Sequence, residues 1–270
     1  MKYTQLMKAR IQGKEDRLPT SLMHKSGLRQ FCDVVKVPTP IEYAKFDTPG
    51  DIDLDKLPEE FVLKPAYASA GEGVMLLTRV DGGYFDSMSQ RTLTGDEIRL
   101  TQGKIYDKYV KTNSRHTIAE QRVICSEGLS IPPDYKFLAF QGRIGVIIRI
   151  DRSAGRLKMN YYDENFVPVV DERIKFNPKI ADREFALPPK NWRSLLDLAV
   201  RTSYAVPTPF SRIDLFLDKE SGPLLGEVTL TPGSFYYEAG HTLSLDENLR
   251  FGELWEQAAR RLRMSMPVVE

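Results

Sequence analysis

Two carboxylate residues near the C-terminal end of the sequence provide its strongest chemical signal. Asp214 lies in the apolar-alternating run SRIDLFL at 211–217, and Glu227 lies in a second run, PLLGEVTLTPG, at 223–233. The turn residues between these runs predict a β-hairpin. If the hairpin centres on residues 220 and 221, Asp214 lies directly opposite Glu227 on one face of the two strands.

This pairing of acids predicts a metal site. Side chains directly opposite in a sheet approach within about 5 Å, and like charges at that spacing destabilise it. A divalent cation between the two carboxylates removes the repulsion, and Mg²⁺ characteristically binds one or two carboxylates together with substrate phosphates. Strand alternation adds Thr229 to the same face. The alternative interpretation is a solvated hairpin face on which two acids happen to align.

A lysine beside a small-residue loop has the chemistry needed to hold phosphates. Lys64 ends the run FVLKP at 61–65, and the loop that follows contains Ser69, Gly71 and Gly73. Backbone N–H groups in such a loop can cradle phosphates while the lysine neutralises their charge. The loop is not a P-loop, because no Gly-Lys-Ser/Thr follows it. The alternative is a tight hairpin with a surface lysine.

Other charged residues allow two interpretations each. The register of a second predicted hairpin puts Lys136 opposite Arg149, next to Asp134, as a charged wall for a phosphate or carboxylate. A salt-bridge ladder on a solvent face is equally common. The strand around Glu120 offers backbone groups to an adenine edge, as any edge strand does. Lys25 lies on the exposed side of a predicted helix, where a solvated lysine is the default interpretation.

The elements that must position these residues are helices placed between groups of strands. Helices are predicted over 21–35, from 94 to about 101, over 191–204 and from about 248 to 264. Strands are predicted over 61–65, 74–77, 117–125, 135–140, 144–150 and 157–162, in addition to the acidic hairpin. Because hairpins predominate, we expect an α+β fold rather than a doubly wound parallel sheet.

Bulk composition narrows the class of protein. The 270 residues are 41% hydrophobic and 28% charged, with 38 Lys and Arg against 37 Asp and Glu. This balance, without a basic or aromatic patch, argues against a nucleic-acid partner. No run is long enough for a membrane span, and the first ten residues lack the apolar core of a signal peptide. Two cysteines give neither a disulfide framework nor zinc spacing, so we expect a cytoplasmic protein.

Taken in order, the motifs resemble those of the ATP-grasp superfamily, and within it the TupA-like group of teichuronopeptide biosynthesis. The resemblance runs through most of the chain, and the two blocks around Asp214 and Glu227 are its most specific part. In chain order the matching motifs are 25–40, LPEEFVLKP at 57–65, the loop at 69–73, IAEQRV at 118–123, DYKFLAFQG at 134–142, Arg149, RIDL at 212–215, GEVTLTPG at 226–233 and FGELW at 251–255.

The resemblance implies an ATP-grasp fold, in which two α+β subdomains grip Mg-ATP after a short N-terminal helical segment. We expect a pre-grasp-like segment at 1–60, an N-subdomain with the Gly-loop and adenine hinge at 61–125, and a C-subdomain with the metal-binding hairpin at 126–270. About sixty residues precede Lys64, fewer than a usual pre-grasp domain contains. We therefore expect part of the substrate lobe either to be missing or to be supplied by a partner chain or an oligomer.

The resemblance also implies a role for each candidate residue. The nucleotide-binding set is Lys25 and Lys64 for the phosphates, Ser69, Gly71 and Gly73 for the loop that closes over them, Glu120, Gln121 and Val123 for the adenine hinge, and Asp134, with Glu127 as the alternative, for the ribose. The catalytic and metal-binding set is Lys136, Arg149 and Arg212 around the transferred phosphate, and Asp214, Glu227 and Thr229 around Mg²⁺. Thr229 stands where many ATP-grasp enzymes have asparagine, and a hydroxyl is the weaker ligand. Glu72, in the Gly-loop, fits beside phosphates only if it points away or binds Mg²⁺ or an amine.

The activity implied is that of an ATP- and Mg²⁺-dependent carboxylate–amine ligase that works through an acyl phosphate. Such chemistry needs charge neutralisation and alignment rather than a protein nucleophile. The carboxylate is expected on an amino acid, a peptide or a uronic acid, in cell-envelope polysaccharide or secondary metabolism, with a small-molecule or glycan amine as the second substrate. One alternative is an ATP-grasp kinase that phosphorylates a hydroxyl. The other is a non-catalytic nucleotide-binding scaffold, which the residues at 72 and 229 favour.

Overall fold

The computed structural model describes residues 1–68, 71–112, 115–233, 235 and 240–267. Helices over these residues are α1 (Tyr3–Ile11), α2 (Lys25–Val35), α3 (Gly95–Lys108), α4 (Trp192–Ala205) and α5 (Leu245–Leu262). Strands are β1 (Glu42–Phe46), β2 (Glu60–Pro65), β3 (Met75–Val80), β4 (Gly83–Asp86), β5 (Arg91–Leu93), β6 (Thr117–Gln121), β7 (Asp134–Phe140), β8 (Arg143–Asp151), β9 (Lys158–Tyr162), β10 (Ile174–Lys175), β11 (Asp182–Arg183), β12 (Ser211–Asp218), β13 (Gly222–Thr229) and β14 (Thr242–Leu243). The α+β fold class is confirmed.

The chain divides into two compact units. The first contains Met1–Thr39 and Cys125–Glu270, and the second contains Pro40–Ile124. The expected division at 1–60, 61–125 and 126–270 stays a prediction about domain organisation. Among the described residues, no helix is both long enough and apolar enough to cross a membrane.

The second unit is an antiparallel six-stranded sheet with the strand order β1-β6-β2-β3-β4-β5, accompanied by α3. Its core is made by fully buried apolar side chains, which include Phe61, Leu63, Leu77, Ile98 and Ala119. A capping box begins α3: the Thr94 hydroxyl accepts from the backbone N–H of Glu97 at 3.3 Å, and the Glu97 carboxylate accepts from the backbone N–H of Thr94 at 2.8 Å. The box satisfies N–H groups that a helix start leaves without partners.

The first unit is built on a six-stranded sheet with the strand order β11-β9-β8-β7-β12-β13. Its pairs are antiparallel except β11 with β9, which is parallel. One face packs against α2 and α4, through residues that include Phe137, Ile213, Cys32, Leu195 and Leu198. The other face packs against α1 and α5, through residues that include Leu138, Ile148, Tyr3, Phe251 and Trp255.

The acidic hairpin forms with the expected pairing of Asp214 and Glu227. The turn itself is one residue off the expected position, because Asp218 pairs with Gly222. A β-bulge at Gly226 then inserts one extra residue into β13 and restores the predicted register. Glycine suits this position, since a Cβ there would lie 2.7 Å from a ring carbon of Phe216.

A similar bulge in the second hairpin has the opposite consequence. The pairing of β7 with β8 starts in the expected register at the turn, but it shifts where Gly145 is left unpaired. Beyond that point Arg149 pairs with Tyr135, so the Arg149 side chain is on the opposite face of the sheet from Lys136. A shift of one residue moves a side chain to the other face of a sheet. The prediction that Lys136 and Arg149 face one another is therefore wrong.

Candidate functional site

Three adjacent strands of the first unit carry polar side chains on the same face. Register pairs Asp214 on β12 with Lys136 on β7 and with Glu227 on β13. Residues two apart on a strand share a face, so each strand adds a second side chain. We call the resulting set the charged cluster; its members are Asp134, Lys136, Arg212, Asp214, Glu227 and Thr229.

Asp214 lies at the centre of the charged cluster, with a side chain that is 4% exposed. Its Oδ2 accepts from Lys136 Nζ at 2.5 Å and from Arg212 Nη2 at 2.6 Å, and its Oδ1 accepts from Arg212 Nε at 2.7 Å. Burial acts to raise the pKa of Asp214, but the charges of Lys136 and Arg212 outweigh burial and hold this pKa below its ordinary value. The carboxylate is therefore ionised at neutral pH.

Lys136 bridges Asp214 to a second carboxylate. Its Nζ lies 2.7 Å from Asp134 Oδ2. Burial acts to lower the pKa of Lys136, but Asp214 and Asp134 together raise it, so the ammonium group keeps its proton. The other oxygen of Asp134, Oδ1, is buried and has no hydrogen-bond partner among the described residues. Buried polar atoms are rarely left unsatisfied, so this oxygen is a ligand-binding candidate.

Glu227 is the member of the charged cluster that reaches solvent, since its side chain is 57% exposed. Thr229 orients it: the hydroxyl accepts from Arg212 Nη2 at 3.0 Å and donates to Glu227 Oε1 at 3.0 Å. The threonine at this position therefore connects the arginine to the carboxylate.

The donor set of the charged cluster fits Mg²⁺ bound jointly with phosphate. Asp214, Glu227 and Thr229 offer only oxygen atoms, as does the unsatisfied Oδ1 of Asp134, and Mg²⁺ prefers oxygen ligands. Within the described ranges, no group of three or more His, Cys, Asp or Glu side chains is arranged to hold a metal ion. The protein alone would thus supply part of a coordination shell, which substrate phosphates and water would complete.

Arg149 lies on the opposite face of the sheet from the charged cluster. Its guanidinium donates to Glu184 at 2.8 Å, to Glu127 at 3.3 Å and to Asp151 at 3.5 Å, and its side chain is 5% exposed. The carboxylate of Glu127 also accepts from the Tyr135 hydroxyl at 3.3 Å. Arg149 and Glu127 therefore hold two connecting segments to the sheet.

Arg152 is a basic residue near the charged cluster that the sequence interpretation did not name. Its Nη1 lies 3.6 Å from Asp134 Oδ2, at the edge of the charged cluster. The bulge at Gly145 explains why Arg152, and not Arg149, lies near the charged cluster. It reverses which residues of β8, and of the chain after it, are on this face of the sheet. An isolated glycine in a strand pattern is a known sign of a bulge, so the signal was present in the sequence.

The two arginines are expected to differ when each is replaced by methionine. Arg149→Met would remove the cation shared by three carboxylates, of which Asp151 is 7% exposed and the other two are partly exposed, so we expect a loss of about 2–3 kcal/mol in the free energy of unfolding. The melting temperature would then fall by roughly 5–10 °C, while turnover per folded molecule is retained. Arg152 is 41% exposed. We expect Arg152→Met to melt within a few degrees of wild type and to lose about tenfold in turnover. The reverse pattern would support the catalytic role that the resemblance implies for Arg149.

In the second unit, Lys64 and Glu120 form an ion pair across neighbouring strands. Register pairs Val62 with Glu120 on β2 and β6, which puts Lys64 and Glu120 diagonally on one face. Lys64 Nζ donates to Glu120 Oε1, and the two side chains are only 20% and 16% exposed. The Glu120 side chain is thus directed at the lysine. The strand also is not an edge strand, because β6 lies between β1 and β2.

The segment beside Lys64 is tied to α3 through its acidic residue. Glu72 accepts from Lys108 Nζ at 2.7 Å and from the Tyr109 hydroxyl at 2.8 Å, and these hydrogen bonds lower its pKa. The carbonyl of Gly73 accepts from Gln102 Nε2 at 2.7 Å. The Glu72 carboxylate is therefore bound to the C-terminal end of α3. This contact explains why an acidic residue can stand in a loop that is expected to hold phosphates.

The remaining candidates are placed as follows. Gly71 and Gly73 have φ values of +79° and +75°, a conformation that favours glycine. Gln121 pairs with Ile41 through its backbone N–H at 2.7 Å and its side-chain carbonyl at 3.2 Å. Val123 is buried beyond the end of β6, and Lys25 is the half-buried first residue of α2. Ser69 lies outside the described residues.

Comparison with known proteins gives one family match. A family model described as TupA-like ATP-grasp matches residues 12–253. No curated protein matches the sequence significantly.

Several solved structures are similar in fold. D-alanyl-alanine synthetase A from Vibrio cholerae O1 biovar eltor is 14% identical with a TM-score of 0.52, over 89% of this chain and 65% of that one. The VanG D-Ala:D-Ser ligase from Enterococcus faecalis is 12% identical with a TM-score of 0.50, over 89% and 62%. An L-amino acid ligase from Bacillus licheniformis is 17% identical with a TM-score of 0.44, over 79% and 41%. The chain thus spans less than two thirds of the length of each of these structures.

Proposed function

Because this chain belongs to the TupA-like ATP-grasp family and has the ATP-grasp fold, we propose that it is an ATP- and Mg²⁺-dependent carboxylate–amine ligase. The observation that carries the proposal is the charged cluster, in which Lys136 and Arg212 hold the buried Asp214 beside the exposed Glu227. Phosphoryl transfer is catalysed mainly by positioning and by charge stabilisation, and both are what this cluster supplies.

The basic residues of the cluster keep donors for a phosphate. Lys136 has three N–H donors and uses two, on Asp134 and Asp214. Arg212 has five and uses three, on Asp214 and Thr229, among the contacts of the described residues. The donors that remain can bind the oxygens of a phosphoryl group, where their charges stabilise the transition state.

The proposed reaction has two steps. A carboxylate oxygen of the first substrate attacks the γ-phosphorus of ATP, the bond to the β-γ bridging oxygen breaks, and ADP leaves. The amine of the second substrate then attacks the acyl phosphate, inorganic phosphate leaves, and the nitrogen loses a proton. Lys136 and Arg212 hold the transferred group through both steps, with Arg152 near Asp134. Mg²⁺, when bound at Asp214 and Glu227 with Thr229 beside them, would neutralise phosphate charge.

We assign the nucleotide contacts as part of the same proposal. Lys25 and Lys64 would bind the phosphates, with the loop that contains Ser69, Gly71 and Gly73. Backbone groups of Gln121 and Val123, at and just beyond the end of β6, would contact the adenine. Asp134 would contact the ribose or a phosphate-bound cation. The Lys64–Glu120 ion pair supports this assignment, because Glu120 holds the lysine extended along the sheet face.

Amino-acid carboxylates are the first substrates to test, because one similar structure is named a D-alanyl-alanine synthetase and another a D-Ala:D-Ser ligase. Peptide and uronic-acid carboxylates from cell-envelope polysaccharide or secondary metabolism follow. The amine belongs to a second small molecule or glycan, in the cytoplasm. A partner chain or a second copy would contribute to the substrate lobe.

Trapping with hydroxylamine tests the proposal. The enzyme is incubated with Mg-ATP, hydroxylamine and a panel of carboxylates, with the carboxylate omitted as the control. We expect hydroxamate in proportion to ADP for the correct carboxylate, because hydroxylamine captures acyl phosphates. ADP with a stable phosphorylated alcohol and no hydroxamate would make the protein a kinase. Nucleotide binding without ADP formation on any substrate would make it a scaffold.

A further inference from the structure

The charged cluster lies at the open end of its hairpin. The turn joins β12 to β13 at residues 219–221, and the pairing of Arg212 with Thr229 is at the far end. Phe210 and Leu230 lie immediately outside the strands, next to this pair. No turn joins β12 and β13 at this end, and Phe210 and Leu230 lie beyond the last backbone pair of the two strands.

A buried arginine from α1 bridges the open end. Arg10 Nη1 donates to the carbonyl of Phe210 at 2.9 Å and to the carbonyl of Leu230 at 2.8 Å. One nitrogen thus connects the two strands where the backbone ladder ends. Arg10 Nη2 also donates to the Thr208 hydroxyl at 2.9 Å, which holds the segment that leads into β12.

The arginine is itself rigidly held. Glu15 accepts from Arg10 Nε at 2.7 Å and from Arg10 Nη2 at 2.8 Å, and the two side chains are 0% and 1% exposed. The guanidinium carbon also lies 4.2 Å from the ring centroid of Trp255 on α5. A bidentate carboxylate pair stacked on an aromatic ring fixes both the position and the plane of a guanidinium.

We propose that Arg10 is a positioning residue for the charged cluster, an inference that rests on the proposed function. By fixing the spacing of Phe210 and Leu230, it sets the position of the β13 backbone at Thr229. Thr229 in turn orients Glu227, whose exposed side chain gains its position from this strand. Arg10 therefore fixes the distance between Glu227 and Asp214 without touching substrate. A misplacement of about 1 Å at such a site can cost roughly 100-fold in rate.

The test must separate positioning from stability. Arg10→Met alone would leave Glu15 buried and unpaired, which is strongly destabilising. The double variant Arg10→Met/Glu15→Leu removes both charges, and replacing a buried pair by apolar residues often preserves folding. Leu6→Ala is the matched control, because Leu6 is a fully buried residue of the same helix, and this change leaves the arginine and its partners in place. Arg10→Lys tests whether charge without the two-carbonyl bridge is enough.

Two readouts are measured on the full chain. The first is amide hydrogen exchange, without ligand, in peptides that cover 208–216 and 224–233. Each variant is measured at the same number of degrees below its own melting temperature. We expect exchange to be about tenfold faster in the double variant and in Arg10→Lys than in Leu6→Ala. The second is the Mg²⁺ concentration that gives half-maximal turnover with saturating ATP. We expect it to rise about 10-fold in the double variant and less than about 3-fold in Leu6→Ala.

The outcomes distinguish the two proposals. Equal exchange and equal Mg²⁺ dependence in the double variant and Leu6→Ala would overturn the positioning role and leave Arg10 as a residue of the core. Faster exchange with unchanged Mg²⁺ dependence would overturn it as well, since the open end would then move without affecting the cluster. If wild type shows no Mg²⁺-dependent turnover, the proposed function fails. Exchange then decides alone whether Arg10 holds the hairpin.

Discussion

Replacement of Asp214 by asparagine is expected to lower Mg²⁺-dependent turnover by about 1,000-fold or more. The change keeps the shape of the side chain and removes the negative charge that Lys136 and Arg212 surround. A loss of about 4 kcal/mol in transition-state stabilisation corresponds to this factor, which is within the range that metal and electrostatic contributions supply. Turnover is measured as ADP release, with the substrates found by hydroxamate trapping, over a range of Mg²⁺ concentrations.

The same substitution is expected to change stability in a pH-dependent way. The charges of Lys136 and Arg212 hold the pKa of Asp214 below its ordinary value in spite of burial. A lowered pKa in the folded state adds stability above the unfolded-state pKa of about 4, and this contribution is lost as pH falls through the folded value. Asp214→Asn should therefore melt lower than wild type at pH 7, and the difference should shrink in acid. Activity is compared at a temperature where both proteins are folded.

A second aspartate on the same strand serves as a control for whether the loss of turnover is specific to residue 214. Asp218 is 5% exposed, and its Oδ1 accepts from the backbone N–H groups of Glu220 and Ser221 at the turn. Asp218→Asn makes the same chemical change at the closed end of the hairpin, so we expect turnover within about 3-fold of wild type. Asp214→Asn with more than a tenth of wild-type turnover would remove Asp214 from the reaction.

The position of Asp214 could be predicted because its causes are local. Alternation of apolar residues and a turn signal fix which side chains share a face of a hairpin, and both are read from about twenty consecutive residues. The predicted pairing of Asp214 with Glu227 is correct although the predicted position of the turn is not. The bulge at Gly226 compensates for the shift at the turn. The local pattern thus gave the face, whereas the bulge that restores the register was not predicted.

The choice between Arg149 and Arg152 depended partly on a non-local cause. A Cβ at Gly145 would lie 2.8 Å from a ring carbon of Phe140 and 3.0 Å from one of Phe251, which comes from α5. The need for glycine at this position thus arises partly within the hairpin, from Phe140, and partly from a helix more than a hundred residues later. Alternation counted through Gly145 gives the wrong face for every residue beyond it.

The resemblance implied a short N-terminal helical segment, and α1 lies there, but the pattern of residues did not give its position. Its buried residues are Tyr3, Leu6, Met7, Ala9 and Arg10, so a charged side chain occupies part of its inward face. Arginine is almost never fully buried unless it is paired. Most of the partners of Arg10 lie about 200 residues away in sequence. A pattern that counts arginine as exposed cannot identify this helix as part of the core.

Lys64→Ala is the second substitution with a large expected effect, a loss of about 10–100-fold in affinity for a non-hydrolysable ATP analogue with Mg²⁺. A charged hydrogen bond contributes roughly 1.5–3 kcal/mol, and each 1.4 kcal/mol is tenfold in the dissociation constant. The measurement is calorimetric titration. Because Lys64 also pairs with Glu120, the single substitution leaves a mostly buried carboxylate without its cation. Some loss of stability will therefore accompany the loss of binding.

A double-mutant cycle separates the two effects. Glu120→Gln removes the charge of the partner, and Lys64→Ala/Glu120→Gln removes the unpaired carboxylate. If Lys64 binds phosphate, both variants that lack it lose affinity, while Glu120→Gln binds at least as tightly as wild type because the lysine no longer has a competing anion. Loss of affinity in Glu120→Gln alone would instead make Glu120 the nucleotide contact, as its resemblance to the adenine hinge implies. If the affinity of Lys64→Ala for the ATP analogue stays within about twofold of wild type, the pair is only a structural ion pair between β2 and β6. Other residues would then have to hold the phosphates.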